Sequence, residues 1–254
     1  MSLLKHKDLL IIIPAYNESK NIGALLEKMS DEGLRDMADL LIINDGSTDD
    51  TSYIAKGMGV RVIDQIYNMG YGCALWTGYK YATVLGYKYL IQMDADGQHD
   101  TSNIMALYDR IRVGDADIVI GSRFVPGAGE YHMSGIRRFA VKLFSWIIKL
   151  GTGKVINDPT SGLQAMTDDV FGFYSQYGNF DDRYPDANML MQMLLLGYRV
   201  EETAAVMHSR VSGRAMHSGL KPVLYMMRMT LSLITVWWRI RVYKRDIRRK
   251  KQRK

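Results

Sequence analysis

The chain has a single cysteine, Cys73, in 254 residues. An intrachain disulfide is therefore impossible, and one thiolate does not build a cysteine-ligated metal site. A thiol-poor chain of this size fits the reducing cytoplasm. Only five prolines are present and no Pro/Ser-rich linker separates the halves, so one fused domain is expected. No internal repeat is visible. Long apolar runs are missing as well. Residues 9–13 are apolar but end in Pro-Ala-Tyr-Asn-Glu, which reads as a buried strand rather than a signal peptide. Residues 223–238 are interrupted by Arg228 and are short for a full membrane span. Neither Gly-x-Gly-x-x-Gly nor the P-loop pattern Gly-x-x-x-x-Gly-Lys-Ser/Thr occurs, which disfavours a dinucleotide site and a P-loop nucleotide site.

The formal charge of +6 is unevenly placed. Residues 239–254 hold ten Lys or Arg and one acid, Asp246, for a net +9. The remaining 238 residues carry 23 basic and 26 acidic side chains, a net of −3. A mildly acidic body argues against a nucleic-acid-binding surface there.

Apolar runs at 9–13, 40–43, 60–63, 89–93 and 118–120 read as strands. Residues 21–30, 72–85 and 104–113 have helical spacing. Continuous apolar strands separated by helices indicate a mostly parallel sheet covered on both faces. The second half is less regular. It holds a Gly-rich loop at 126–135, an apolar and basic helix at 136–150, a turn at 158–162, a Met/Leu-rich helix at 187–196 and a strand at 198–206.

Ligands of open α/β sheets bind beyond the carboxyl ends of the strands. Here those ends read Pro14-Ala15-Tyr16-Asn17-Glu18, Asn44-Asp45-Gly46-Ser47-Thr48-Asp49, Asp94-Ala95-Asp96-Gly97-Gln98 and Gly121-Ser122-Arg123. Asp94 and Asp96 lie two apart on an extended segment, so both point one way. Paired carboxylates suit a hard divalent cation, Mg2+ or Mn2+, that keeps substrate phosphate in its shell, and Gln98 adds a neutral oxygen. The bland reading is a solvated Asp-rich turn. Convergence with the other polar strand ends favours the metal. Asp45 can accept hydrogen bonds from a base or ribose, or can be a turn residue while Ser47 or Thr48 caps the next helix.

Taken in order and spacing, PAYNE, NDGSTD, NMGYG, DADGQHD and GSR resemble the family 2 glycosyltransferases of GT-A fold. Residues 157–164 and 210–218 resemble segments of the dolichol-phosphate mannose synthase branch, which transfers sugars to polyprenyl phosphate. The resemblance covers residues 8–218. It implies a Rossmann-like, mostly parallel α/β sheet flanked by helices, with a nucleotide-sugar half at 1–123 and an acceptor half at 124–218. Pro14, Ala15, Tyr16, Glu18, Asp45, Asp94 and Ala95 would line the donor site, and Asp94, Asp96 and Gln98 would hold the metal. Arg123, Arg137 or Arg138, and Arg210 would face phosphates, and transfer would invert the anomeric centre. The resemblance implies a nucleotide-diphosphate sugar donor, with UDP favoured over GDP. Asn44 stands where the branch often has Asp, and Leu163-Gln164 replaces a Phe-x pair, which leaves base and acceptor choice open.

A hydroxyl acceptor needs a general base, whereas a phosphate monoester is already anionic and needs cations and an apolar groove. Arg137, Arg138, Lys142, Arg210 and Arg214 lie near apolar stretches and suit the second case. Asp186 precedes the helix at 187–196. It is either that helix's N-cap or the base of a hydroxyl-acceptor enzyme that extends a lipid-linked or surface glycan, with Asp181-Asp182 as a weaker base candidate. A catalytically silent sugar-nucleotide-binding scaffold is a further alternative.

Residues 219–240 are expected to form an amphipathic helix with Leu220, Leu224, Met227, Leu231, Ile234 and Trp238 on one stripe, followed by the basic tail 241–254. Such a segment suits in-plane binding to an anionic membrane at its cytoplasmic face. The alternatives are a helix packed on the domain or a docking site for a small membrane protein.

Overall fold

A computed structural model describes residues 6–129, 131, 133–208 and 221–252. Its centre is a seven-stranded sheet of β1 (Leu9–Ala15), β2 (Ala38–Asn44), β3 (Arg61–Asp64), β4 (Tyr89–Gln92), β5 (Ile118–Ser122), β6 (Gln164–Thr167) and β7 (Val200–Ala204), in the order β3-β2-β1-β4-β6-β5-β7. β1 is an inner apolar strand, and all seven of its residues are buried. Its side chains alternate between two cores: Leu10 and Ile12 enter one, while Leu9, Ile11 and Ile13 enter the other. A strand buried on both faces reads as a continuous apolar run.

The face that receives Leu9 and Ile11 is covered by α1 (Ile22–Asp31), α2 (Leu34–Met37), α3 (Thr51–Gly57) and α5 (Asn103–Arg112). The opposite face carries α4 (Tyr71–Leu85), α6 (Gly135–Thr152), α7 (Asp168–Ser175), α8 (Ala187–Leu196) and α9 (Lys221–Gln252). The mostly parallel α/β sheet expected from the sequence is thus present, with one exception. β6 runs antiparallel between β4 and β5. A reversed strand presents its beginning, not its end, at the edge where the parallel strands finish. Residues 157–163, which lead into β6, therefore arrive beside the ends of β4 and β5.

α9 is one helix through Gln252, so no break separates the expected helix from the basic tail. Met229, Leu233, Val236 and Ile240 are buried, and the spacing of 4, 3 and 4 makes them one face of the helix. Burying each of these side chains contributes about 1.5–3 kcal/mol, enough to fix the helix on the body. Among the described residues, no helix is long and apolar enough to cross a membrane.

Candidate active site

The register of the sheet assembles the site. Ala15 pairs with Asn44 across β1 and β2, so Tyr16 and Asp45 leave the sheet side by side. On the other flank, Ile12 pairs with Gln92 and the Met93 amide donates to the Ile12 carbonyl at 3.1 Å, which delivers Asp94 to the same edge.

The first two loops are stitched together. Asn17, held at φ 56°, accepts the Thr48 amide at 2.9 Å, and its own amide donates to Ser47 Oγ at 2.9 Å. Asparagine is among the few side chains that adopt this left-handed conformation readily. The Glu18 amide donates to Thr51 Oγ1 at 2.8 Å, and the Asn21 side chain donates to the Glu18 carboxylate at 2.6 Å. Ser47 and Thr48 thus bridge loops rather than cap α3; the Asp49 carboxylate receives the Thr51 amide at 3.1 Å, at the start of that helix. Pro14 and Ala15 are buried in this edge, while Tyr16 is 46% exposed and faces outward.

Asp45 is 4% exposed. Its carboxylate accepts the amides of Met69 at 2.7 Å and Gly70 at 2.9 Å, pinning the loop before α4. Gly46 makes this possible. It sits at φ +67°, and a Cβ there would lie 2.5 Å from the Tyr67 carbonyl carbon.

Asp94 Oδ1 accepts the Tyr71 hydroxyl at 3.0 Å, and Asp94 Oδ2 lies 3.5 Å from His99 Nε2. Burial and the Asp94 charge hold the Tyr71 phenol well above its ordinary pKa, so it remains a donor. His99 is 4% exposed, and its Nδ1 is buried with no hydrogen-bond partner among the described residues. Asp96 Oδ1 accepts the Gln98 amide at 3.0 Å, which closes the turn over buried Ala95. The loop entering β6 passes so close that a Cβ on Gly162 would sit 2.6 Å from Asp94 Oδ2. The backbone there is kept clear for the carboxylate.

Among the described residues, no cluster of three or more His, Cys, Asp or Glu forms a ready-made metal cage. The donor set nevertheless fits Mg2+ or Mn2+. Two hard carboxylates, one cleared by a glycine, suffice for an ion that completes its shell with water and diphosphate oxygens.

Arg123, expected to face phosphates, is held by a buried carboxylate. Its Nε and NH2 donate to the two carboxylate oxygens of Asp158, each at 2.6 Å, and NH2 also donates to Thr160 Oγ1 at 2.9 Å. Asp158 is fully buried and Arg123's side chain is 9% exposed. Burial opposes the arginine's charge, but the Asp158 fork outweighs it and holds the guanidinium pKa above its usual value. The Asp158 amide donates to Glu202 Oε1 at 2.8 Å, tying the loop to β7. Arg123 therefore fastens the 157–162 loop beneath Asp94, with the Tyr131 ring 5.3 Å from its guanidinium carbon.

Asp186 occupies the N-cap position of α8, yet its side chain makes no cap hydrogen bond. Its carboxylate instead accepts the Tyr225 hydroxyl from α9. Burial pushes the Asp186 carboxyl up to about 7, against the Tyr225 hydrogen bond, which pulls it down; the Asp158 charge raises it further and Arg123 lowers it. Burial and Asp186 in turn drive the Tyr225 phenol far upward. Arg137 and Arg138 are exposed in the first turn of α6, where no acid is present. Gln98 is half-buried beside the Asp96 turn. Arg210 and Arg214 lie outside the described residues.

Sequence reasoning missed Tyr71, His99 and Tyr225. Tyr71 and His99 do lie inside the quoted motifs, but nothing in spacing marks an aromatic as a carboxylate partner. Tyr225 lies 39 residues from Asp186, and only the packing of α9 on α8 reveals the pair.

The chain spans somewhat less than two thirds of the length of the first two curated relatives it matches, covering 65% and 62% of them. One is the polyprenol monophosphomannose synthase of Mycolicibacterium smegmatis, 30% identical over 63% of this chain and 62% of that protein. The undecaprenyl-phosphate mannosyltransferase of Micrococcus luteus is 28% identical over 83% of this chain and 87% of its own. Among solved structures, glucosyl-3-phosphoglycerate synthase from Mycobacterium tuberculosis, crystallised with Mn2+, UDP and its product, superposes with a TM-score of 0.63 at 16% identity. It covers 91% of this chain and 80% of that one. That likeness shows the GT-A fold. The model of "Glycosyl transferase family 2" matches residues 10–178, about two thirds of the chain. The chain belongs to glycosyl transferase family 2.

Proposed function

We propose that this protein is a metal-dependent, inverting glycosyltransferase that moves a hexose or N-acetylhexosamine from a nucleotide-diphosphate sugar to polyprenyl phosphate. The observation that carries the reading is the convergence on one sheet edge of the Asp45-pinned loop, the Asp94/Asp96 pair and the loop held by Arg123. The names of two relatives, a polyprenol monophosphomannose synthase and an undecaprenyl-phosphate mannosyltransferase, support the acceptor class. A UDP-bound structural neighbour supports a UDP-sugar over a GDP-sugar.

In this reading the nucleoside lies across the ends of β1 and β2, against Pro14, Ala15, Tyr16, Glu18 and Asp45. Asp94 and Asp96 hold Mg2+ or Mn2+, with Gln98 and Ala95 shaping the turn. When bound, the ion neutralises charge on the diphosphate. Tyr71 donates to Asp94 and fixes its orientation, and Arg123 keeps the 157–162 loop in place through Asp158. The acceptor phosphate is drawn to the start of α6, where backbone N–H groups, Arg137 and Arg138 meet without an opposing acid. Arg210 is proposed as a further phosphate contact. An acceptor phosphate oxygen attacks the anomeric carbon. The bond from that carbon to the diphosphate breaks, its electron pair leaves on the nucleoside diphosphate, and the centre inverts. The acceptor is a membrane lipid, so the protein works as a peripheral enzyme at the cytoplasmic face of a membrane.

One observation favours a second reading. The buried Asp186 carboxyl, raised to about 7 and held by Tyr225, is poised as a general base for a hydroxyl acceptor.

The test offers radiolabelled UDP-, GDP- and dTDP-sugars with Mn2+ and polyprenyl phosphate to the wild type and to Asp96→Asn. Label extractable into organic solvent with the wild type, lost in Asp96→Asn and on adding EDTA, is expected. No extractable label with any donor, or full activity of Asp96→Asn in EDTA, overturns the proposal.

A further inference from the structure

The lower face of the molecule carries an apolar strip that its own core does not use. On α9, Leu224, Met227, Leu231, Ile234 and Trp238 are 49–64% exposed. They recur at steps of 3 and 4 and lie opposite the buried Met229, Leu233, Val236 and Ile240 face. A second strip lies on α6, where Phe139, Trp146 and Leu150 are 57–64% exposed.

The two helices are neighbours and run in the same sense. Phe144 of α6 meets the Tyr225 ring of α9 edge-on at 6.0 Å. Further along, a Cβ on Gly151 would lie 2.9 Å from Trp237 Cδ1. Contact thus advances from 144 to 151 on one helix as it advances from 225 to 237 on the other. The exposed strips belong to this two-helix platform, and Leu150 and Trp238 lie toward its same end.

In the sequence, the charge of the two helical segments and their flanks is predominantly of one sign. Residues 131–157 contain Arg137, Arg138, Lys142, Lys149 and Lys154 and no acid. Residues 203–254 contain a single acid, Asp246, against fourteen Lys or Arg. The rest of the body is net acidic. A second copy docked face to face would bring two such cationic surfaces together, which is unfavourable. An anionic surface with an apolar interior matches both features.

We propose that α6 and α9 together seat the protein in the plane of an anionic lipid bilayer, with the apolar strips entering the interface and the basic end of α9 lying on the headgroups. The inference deepens the lipid-acceptor reading and rests on it for the identity of the membrane; the surface itself is defined by exposure and charge. It places the start of α6, with its two arginines, and Tyr225, the partner of Asp186, on the helices that meet the lipid.

The experiment floats the full chain with protein-free vesicles of phosphatidylcholine, with and without phosphatidylglycerol, at low and high salt. A Trp146→Glu/Leu231→Glu variant removes one apolar group from each helix, and Tyr53→Glu, at a residue 79% exposed on α3, which covers the opposite face of the sheet, is the control. Circular dichroism melting checks that all variants fold. The expected result is binding to the anionic vesicles that weakens with salt, a loss of about tenfold or more in the double variant at either salt, and no change in the control. Brominated lipid should quench tryptophan emission of the wild type and much less that of the folded double variant. Equal flotation of wild type and double variant overturns the platform. Absence of binding to any vesicle overturns it too, and a salt-resistant dimer broken by the double variant would assign the face to a second copy. Flotation is read without sugar transfer, so binding without transfer would strike the functional reading and leave the platform standing.

Discussion

Arg123 and Asp158 show how one residue's expected chemistry is redirected by its neighbour. An arginine after a strand end reads from sequence as a phosphate contact, but here its fork closes on a buried carboxylate. Removing one partner of such a pair leaves the other charge buried and uncompensated. Asp158→Ala is expected to destabilise the fold by about 3–5 kcal/mol, seen as a drop of the order of 10 °C in Tm. An unchanged Tm would show the pair to be dispensable. Asp186 gives a prediction of opposite character. Its carboxyl is raised from the ordinary 3.8 to about 7, so the folded state holds the proton more tightly than the unfolded chain does. Stability from this group is fully present below about pH 4. It falls as pH rises toward about 7 and is constant above, a loss on the order of 2–4 kcal/mol. Asp186→Asn cannot titrate. Its Tm relative to wild type should therefore climb steadily between pH 4.5 and 7.5, and a pH-independent difference would contradict the burial of that carboxyl.

The elements that position the site differ in how openly the sequence declares them. β1, β2, β4 and β5 are apolar runs that end in polar motifs, and period and composition are enough to find them. β6 spans four residues and carries Gln164 and Thr167, so it has neither the length nor the apolar run of a strand, although Ala165 and Met166 are each buried in a separate core. Its reversal is a property of pairing, which local pattern does not contain. The same holds for α9. Its exposed stripe is legible as a heptad-like repeat, but the buried stripe opposite and the Tyr225 contact require the body to be in place. Gly162 is the point where this hidden strand meets the visible motif. Gly162→Ala places a methyl 2.6 Å from Asp94 Oδ2, so either the loop or the carboxylate must move. A shift of about 1 Å at a reacting site costs roughly 100-fold in rate. We expect that loss in turnover with a Tm close to wild type; full activity would show that the approach of the loop to Asp94 does not matter.

At the scale of the whole molecule, the sheet edge proposed for the donor is built from strand ends, while the groups proposed for the acceptor, the cationic start of α6 and the Asp186–Tyr225 contact, lie on helices. The groups proposed for the donor were legible because they sit on strand ends in sequence order. The groups proposed for the acceptor were legible only as residue types, since they are contributed by different helices and the Asp186–Tyr225 pair meets only through packing. The central claim is that the acceptor is a phosphate monoester on a polyprenyl chain, and it is tested most directly by acceptor competition. Wild type and Asp186→Asn receive one radiolabelled donor sugar, with polyprenyl phosphate and an oligosaccharide in the same tube, and the two products are separated by phase. A phosphate acceptor needs no base, so the account predicts label on the lipid for both proteins, with Asp186→Asn keeping most of the wild-type rate. Label on the oligosaccharide alone, abolished in a folded Asp186→Asn, would contradict it and make Asp186 the base of a hydroxyl-directed transferase.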